Sequence, residues 1–133
     1  MKQPSTPRTF ALCIVAAAAR GRTTFAGGSS LRAKETDRIA AMAAGLRAMG
    51  IECTDRPDGL EVTGGKLRGA TVASHDDHRI HMAFAVAGLV ADGLTRIDAP
   101  DSADVSYPGF HQSFETLGAP FRLLQGNRAQ VSA

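Results

Sequence analysis

The chain has 133 residues, a length typical of one globular domain, and 44% of them are hydrophobic, as such a domain requires. Its formal charge is only +2 and its basic residues are scattered, which disfavours a nucleic-acid-binding patch. With one Tyr and no Trp, a base-stacking surface has little support either. No apolar run approaches the roughly 20 residues of a membrane-spanning helix. We therefore expect a globular protein without nucleic-acid or membrane partners.

The two cysteines, Cys13 and Cys53, have no near partner and no metal-ligand spacing. We interpret both as small hydrophobic side chains buried in a protein of the reducing cytosol. The apolar run 10–19 follows two basic residues and so also imitates the core of a signal peptide. Its alanine-rich composition suits a buried helix equally well, and we predict a cytoplasmic location.

The predicted elements alternate between helices and strands. An irregular lead-in at residues 1–8 precedes a single α/β domain over residues 9–124, and residues 125–133 form a frayed tail. Helices are predicted over residues 9–20, 34–49 and 78–91, with a further amphipathic stretch marked by Phe110, Phe114 and Leu117. Strands are predicted over residues 23–25, 51–54, 60–63, 70–73, 94–97 and 121–124. Similar helix–strand blocks therefore recur twice along the chain.

Three of these predictions depend on clear patterns. In the 34–49 helix, apolar residues recur at spacings of three and four, at Ile39, Met42, Leu46 and Met49. The 78–91 helix is apolar nearly all round, which is typical of a buried helix. Strands 51–54 and 60–63 flank Pro57-Asp58-Gly59, which predicts a hairpin.

The first candidate site is the cluster of Lys34, Glu35 and Arg38. On the predicted helix these residues are three and four apart and would share one face. An ammonium and a guanidinium suit phosphate and carboxylate groups, and a carboxyl group beside them could transfer a proton. The alternative is a solvent-exposed helix face with weak ion pairs. Both interpretations stay open at this point.

The second cluster is Asp76-Asp77-His78-Arg79, at the start of the apolar helix. An Asp at an N-cap has a structural role, since it accepts hydrogen bonds from the first amides. Basic residues in the first turn oppose the helix dipole, and an anion bound by the amides and Arg79 would remove that conflict. If both helix starts converge, they form a pocket for a small, doubly charged anion.

Three of the histidines are candidate metal ligands. His75, His78 and His81 lie close in sequence beside Asp77, but they form no fixed ligand set, and we predict no metal. We interpret His81 as a helix residue whose hydrogen bonds are satisfied and His111 as a surface residue.

Three motifs occur in order: Leu31–Ile39 (LRAKETDRI), Asp77-His78-Arg79 followed by Met82-Ala83-Phe84, and Ser106-Tyr107-Pro108. With them, residues 10–119 resemble the C-terminal part of the 5-enolpyruvylshikimate-3-phosphate synthases. The related UDP-N-acetylglucosamine enolpyruvyl transferases share the fold but lack the first two motifs. The resemblance implies an α/β, enolpyruvyl transferase-like domain with a mixed sheet and packed helices, built from βαβαββ units and partial relative to the full fold.

The family transfers the enolpyruvyl group of phosphoenolpyruvate to shikimate 3-phosphate and releases phosphate, without a metal or other cofactor. The resemblance implies a role for each of six residues: Arg38 and Arg79 hold phosphoenolpyruvate, Lys34 and Ser30 hold shikimate 3-phosphate, Glu35 donates a proton to the methylene carbon, and His78 lies near the reacting centre.

The chain departs from the family in two ways. Pro7 stands where the family has an acidic residue before the first helix, and the chain covers roughly two units of one domain. A homo-oligomer could complete the missing half. The alternative is a non-catalytic fragment or pseudoenzyme that binds phosphoenolpyruvate-like anions such as glyphosate.

Overall fold

The structure is a computed structural model that describes residues 8–34, 36–119, 121–124 and 128–132. The helices are α1 (Arg8–Ala18), α2 (Arg38–Ala48), α3 (His78–Val90) and α4 (Phe110–Thr116), and short 3₁₀ segments span Ser29–Ala33 and Pro100–Val105. The strands are β1 (Arg22–Phe25), β2 (Glu52–Arg56), β3 (Gly59–Thr63), β4 (Thr71–Val72), β5 (Leu94–Asp98), β6 (Phe121–Leu124) and β7 (Arg128–Ser132). The predicted lead-in at residues 1–8 lies outside the described residues except for Arg8, which is already helical.

The strands form two sheets, and the strand order of the first recurs within the second. The first sheet is antiparallel, in the order β1-β3-β2, and the second has the order β4-β5-β7-β6, with β4 and β5 parallel and the other pairs antiparallel. The order β5-β7-β6 repeats β1-β3-β2. The second block, β4-α3-β5-α4-β6-β7, is a complete βαβαββ unit, and the first block matches it from the first helix onward. The recurrence predicted from the sequence is confirmed.

The core forms where α3 packs against α1, α2 and the strands β5 and β7. Phe84 of α3 is fully buried there, and the four apolar residues predicted on α2 are all buried as well. A Cβ on Gly45 would lie 2.1 Å from Cζ of Phe84, so α2 approaches α3 more closely than any other residue would allow. This close crossing helps to fix the two helices that carry the basic clusters.

The start of α2 differs from the prediction. The helix begins at Arg38, because Asp37 is its N-cap and the Ala40 amide donates to Asp37 Oδ1 at 3.1 Å. Lys34 instead ends the preceding 3₁₀ segment in an extended conformation, with φ −90° and ψ −162°. The prediction that Lys34 and Arg38 share one helical face is therefore wrong. Glu35 lies outside the described residues.

The C-terminal segment contains a strand that was not predicted. Residues 128–132, expected to be part of a frayed tail, form β7 between β5 and β6. Ala129 and Val131 of β7 are completely buried, so this strand completes the second half of the core. A five-residue strand with only two inward apolar residues gives a weak sequence signal.

Four side chains differ from the prediction in whether they are buried or exposed. Leu117 follows α4 and is 81% exposed, whereas His111, predicted at the surface, is buried. On α3, Val86 and Val90 are exposed, so this helix is not buried all round. Helix ends and packing neighbours decide these cases, and neither is encoded in the local pattern.

Cys13 and Cys53 are both free and buried, as predicted. Burial raises the pKa of Cys13 to about 12 and that of Cys53 to about 11, so both remain protonated thiols of low reactivity. Within the described part of the chain, no helix combines the length and apolar character needed to cross a membrane.

The close crossing of α2 and α3 can be tested with Gly45→Ala. The added methyl group meets the Phe84 ring, so we expect the free energy of unfolding to fall by about 1–2 kcal/mol, even after the gain of about 1 kcal/mol in helix propensity. Urea unfolding followed by circular dichroism measures this. Gly65→Ala is the control, because a Cβ there has only an ordinary contact with Ile51, and it should leave stability unchanged or slightly higher.

Candidate anion-binding site

A buried ion pair joins the two basic clusters. Arg38 Nε donates to Asp77 Oδ2 at 2.8 Å, and the two side chains are 9% and 0% exposed. The other oxygen of Asp77 accepts from the amides of Arg79, at 2.9 Å, and Ile80, at 3.4 Å. One carboxylate therefore connects the first residue of α2 to the first turn of α3. The two helix starts therefore converge, as a pocket formed by both basic clusters requires.

Arg38 is held on a second side by an aromatic ring. Its guanidinium carbon lies 5.8 Å from the centre of the Phe10 ring, within the range of a cation–π contact. In this apolar surrounding the removal of charge from water is costly, so the ion pair with Asp77 serves orientation more than net stability. The guanidinium is consequently held in a defined direction by α1 and α3 together.

The first turn of α3 presents Arg79 and His78, both half-buried. Neither side chain forms an ion pair with any of the described residues. The expectation that an anion binds the amides of this turn is wrong, because Asp77 itself accepts from those of Arg79 and Ile80. Asp77 also offsets the conflict between the basic residues and the helix dipole. An anion bound at this site would therefore contact the side chains of Arg79 and His78 and not the amides that Asp77 occupies.

The turn before α3 is strained and tightly held. His75 and Asp76 have φ values of 55° and 56°, a left-handed conformation that residues other than glycine adopt rarely. Ser74 holds the turn, since its amide donates to Asp98 Oδ1 at 2.6 Å and its carbonyl accepts from the Asp77 amide at 3.0 Å. This tether to the end of β5 fixes where Asp77 enters the site.

Lys34 and Ser30 lie in the segment before α2. Both side chains are exposed, Ser30 within the 3₁₀ segment and Lys34 at its end. The Lys34 ammonium makes no ion pair in the described part of the chain. Lys34 therefore precedes Arg38 on the connecting segment and does not share a helix face with it.

Sequence reasoning missed two contributions. Asp77 was predicted only as a cap, a role that is confirmed, but its second oxygen also orients Arg38. Arg32 was not singled out, yet its side chain bonds Asp37 and the β2–β3 turn. The signal in the sequence for these two contributions is the Asp that directly precedes α2 and α3, at Asp37 and Asp77, among basic residues.

A buried pair of histidines lies beside the site. His81 Nδ1 hydrogen-bonds the carbonyl of Asp98 at 2.8 Å, and His81 Nε2 lies 3.2 Å from Nε2 of His111. A carbonyl can only accept, so Nδ1 of His81 carries the proton and its Nε2 accepts from His111. The prediction that His81 is satisfied is confirmed. Burial lowers the pKa of His81 and of His111, so both are held neutral.

No group of three metal-ligating side chains is found among the residues that the structure describes. The arrangement has the groups of a candidate anion site: the Arg38 guanidinium and the Arg79 amide on one carboxylate, a half-buried imidazole, and a lysine on the adjoining segment. Guanidinium groups of this kind bind carboxylates and phosphates.

A family model described as EPSP synthase (3-phosphoshikimate 1-carboxyvinyltransferase) matches residues 4–114. The chain belongs to the EPSP synthase family. A relative from Methanocella arvoryzae named 3-phosphoshikimate 1-carboxyvinyltransferase is 53% identical over 108 residues, which are 81% of this chain and 26% of the relative. A relative of the same name from Xanthomonas campestris pv. campestris is 49% identical over 81% of this chain and 25% of its own length. The chain thus spans about a quarter of the relatives it matches.

Solved structures agree with this family. The EPSP synthase from Acinetobacter baumannii superposes with a TM-score of 0.77 and 40% identity over 81% of this chain and 26% of that one. The enolpyruvyl transferase NikO from Streptomyces tendae superposes with a TM-score of 0.61 over 95% of this chain and 29% of NikO. At 17% identity, NikO shows the fold alone. The predicted enolpyruvyl transferase-like fold and its partial extent are confirmed.

The linking role of Asp77 can be tested with Asp77→Asn. Asn still caps α3 but replaces the buried carboxylate that faces Arg38 Nε with a neutral amide, so we expect a loss of about 3 kcal/mol in the free energy of unfolding. Urea unfolding measures it. Asp92→Asn is the matched control, because its ion pair with Lys66 at 2.7 Å has both side chains more than 60% exposed and contributes roughly 0–1 kcal/mol. Equal losses in the two variants would contradict the role of Asp77.

The histidine pair predicts a pH dependence. In the unfolded chain histidine titrates near its ordinary value of 6.5, whereas the folded pair has lowered pKa values and binds fewer protons. The stability that the neutral histidine pair contributes is therefore complete above about pH 6.5, and it is lost as the pH falls towards the pKa values of the folded state. Thermal melts in buffers from pH 7.5 down to pH 5 should show that stability falls less steeply with pH in His111→Gln than in the unaltered chain. The difference in slope should be ~1 kcal/mol per pH unit at most. His75→Asn, at an exposed position, is the control, and an unchanged slope in His111→Gln would contradict the assignment.

Proposed function

We propose that this chain is the part of a 3-phosphoshikimate 1-carboxyvinyltransferase that binds phosphoenolpyruvate and the phosphate of shikimate 3-phosphate. The reaction forms an enolpyruvyl ether and releases phosphate. The observation that carries this proposal is the Arg38–Asp77–Arg79 connection, in a chain about half identical to enzymes of that name. It supports a site that holds a carboxylate between two helix starts.

Arg38 and Arg79 are the proposed ligands of the phosphoenolpyruvate carboxylate. Asp77 engages Arg38 through Nε and Arg79 only through its backbone amide. The guanidinium of Arg79, half-buried and without an ion pair to a described residue, can offer two parallel N–H groups to a carboxylate. The fixed direction of Arg38 reduces the freedom lost on binding, which favours affinity.

Lys34 and Ser30 are the proposed ligands of shikimate 3-phosphate. Their exposure and their place on one short segment support this role, since a compact ammonium and a hydroxyl both suit a phosphate.

Glu35 is the proposed proton donor to the methylene carbon of phosphoenolpyruvate, and His78 lies near the reacting centre. As the proton is added, the shikimate hydroxyl oxygen bonds to the adjacent carbon and loses its own proton to a base. The tetrahedral intermediate then returns a proton from the methyl group and expels phosphate, which restores the double bond. Neither a metal nor another cofactor takes part in this scheme.

The chain requires a complement for efficient catalysis. Groups must surround the transition state from both sides, and this chain spans about a quarter of its relatives. We propose that a second copy, or further units of the same family, supplies the opposite side of the cleft. The only other partners in this proposal are the two small substrates, in the cytoplasm, where free buried thiols such as Cys13 and Cys53 are common.

A second candidate is a non-catalytic anion-binding role, including binding of glyphosate. Pro7 favours it, because a proline cannot accept the hydroxyl proton that the reaction releases. The two candidates differ in whether substrate is turned over.

Phosphate release from phosphoenolpyruvate by the purified chain, with and without shikimate 3-phosphate, distinguishes them. We expect release to need both substrates, to be abolished in Glu35→Gln and to fall about 100-fold in Arg79→Lys, which cannot bind a carboxylate bidentately. Arg22→Lys, at an exposed position on β1, is the control and should retain full activity. Saturable phosphoenolpyruvate binding without release would favour the second candidate, and neither binding nor release would refute both.

A further inference from the structure

Arg32 connects three parts of the fold through one guanidinium. Its Nη1 donates to Asp37 Oδ2 at 2.8 Å, on the residue that caps α2. Its Nε donates to the carbonyl of Pro57 at 2.9 Å, and its Nη2 donates to Asp55 Oδ1 and to the carbonyl of Arg56. All three guanidinium nitrogens are thus engaged, and the side chain fastens the 3₁₀ segment to the β2–β3 turn on one side and to the cap of α2 on the other.

Backbone contacts reinforce the same connection. The amide of Gly28 donates to the carbonyl of Asp58 at 2.6 Å, and the amide of Gly27 donates to Asp58 Oδ2 at 3.2 Å. Residues 27–34 are therefore held against the hairpin turn at two points, by the two glycines at the start and by Arg32 further along. Lys34 lies between Arg32 and Asp37 within this held segment.

The charges in this cluster reinforce the geometry. The hydrogen bonds that Arg32 donates to the carboxylates of Asp55 and Asp37 raise the pKa of Arg32, which stays charged at all relevant pH values. Burial alone would raise the pKa of Asp37, but the Ala40 amide and Arg32 outweigh it and hold that pKa below its ordinary value. Both partners consequently keep their charge, and the contact between Arg32 and Asp37 persists across the physiological pH range.

We propose that Arg32 is the positioning residue of the phosphate-binding segment: it sets where Lys34 and Ser30 meet the phosphate of shikimate 3-phosphate. The assignment of Lys34 and Ser30 as ligands rests on the proposed function. Arg32 itself touches no substrate in this proposal, because its donors are used by Asp37 and the hairpin turn.

Arg38 does not depend on Arg32 in the same way. It has its own anchor in Asp77, on α3, and lies against Phe10 of α1. The segment that carries Lys34 is held instead through the β2–β3 turn and the cap of α2, by Arg32 and the two glycines. Disturbing Arg32 should therefore weaken the two substrates unequally, whereas a general loss of stability would weaken them alike.

The first experiment needs no ligand. In Arg32→Lys the charge remains but one ammonium cannot reach all three partners, so the amides of Gly28 and Ala40 should exchange their hydrogens at least tenfold faster. Amides of the β2–β3 pairing should keep their protection in hydrogen-exchange NMR. Asp55→Asn, which leaves the segment's own residues intact, should accelerate Gly28 in the same direction. Unchanged exchange at Gly28 and Ala40, or a uniform rise throughout the chain, would overturn the proposal.

The second experiment measures dissociation constants for each substrate separately, by NMR shift titration of the full chain. We expect Arg32→Lys to weaken shikimate 3-phosphate about tenfold and phosphoenolpyruvate less than threefold, with the opposite preference in Asp77→Asn. Arg56→Lys is the matched control, because that arginine pairs with Glu61 at 2.6 Å on the exposed side of the same hairpin. Equal weakening of both substrates by Arg32→Lys would refute the positioning role.

Failure of the proposed function has a different signature. If the unaltered chain binds neither substrate, the assignment of Lys34 and Ser30 as ligands fails. The exchange rates of Gly28 and Ala40 still decide whether Arg32 positions the segment.

Discussion

The carboxylate of Asp77 determines how the site is assembled. It lies between the first residue of α2 and the first turn of α3, with no exposure to solvent, and it accepts from a guanidinium on one oxygen and from two amides on the other. An isolated charge at this depth would be severely destabilising, so the folded state requires that both helix starts meet at this point. The close crossing at Gly45 lets the helix bodies follow the same geometry.

Two anchors, each a carboxylate–guanidinium contact, position different parts of the proposed site. Asp77 orients the guanidinium of Arg38 and caps the turn that carries Arg79, whereas Arg32 fastens the Lys34 segment to the β2–β3 turn. In our proposal the hairpin therefore supports the site, although none of its own residues is predicted there. Both anchors are carboxylate–guanidinium contacts, whose planar, directional geometry suits the positioning of neighbouring groups.

The repeated strand order explains how a short chain can retain such a site. The two blocks share the order β1-β3-β2 and β5-β7-β6, and the site lies where the second helix of one block meets the first helix of the next. It is therefore a product of the junction between blocks. Apolar side chains left exposed on α1 and α3, among them Val15 and Val90, agree with the proposal that a further unit or copy completes the cleft.

The sequence by itself determined the order of the helices and strands as far as β6, the hairpin, the buried face of α2 and the family, because these depend on local spacing and on ordered motifs. It also indicated Arg38 and Arg79 as anion ligands. Only the tertiary structure decided that Arg38 begins its helix, that His111 is buried against His81, that residues 128–132 form β7, and that Asp77 and Arg32 serve as anchors. The physical reason is that these features depend on burial and on partners distant in sequence: Arg38 and Asp77 are 39 residues apart, His81 and His111 are 30 apart, and Arg32 and Pro57 are 25 apart.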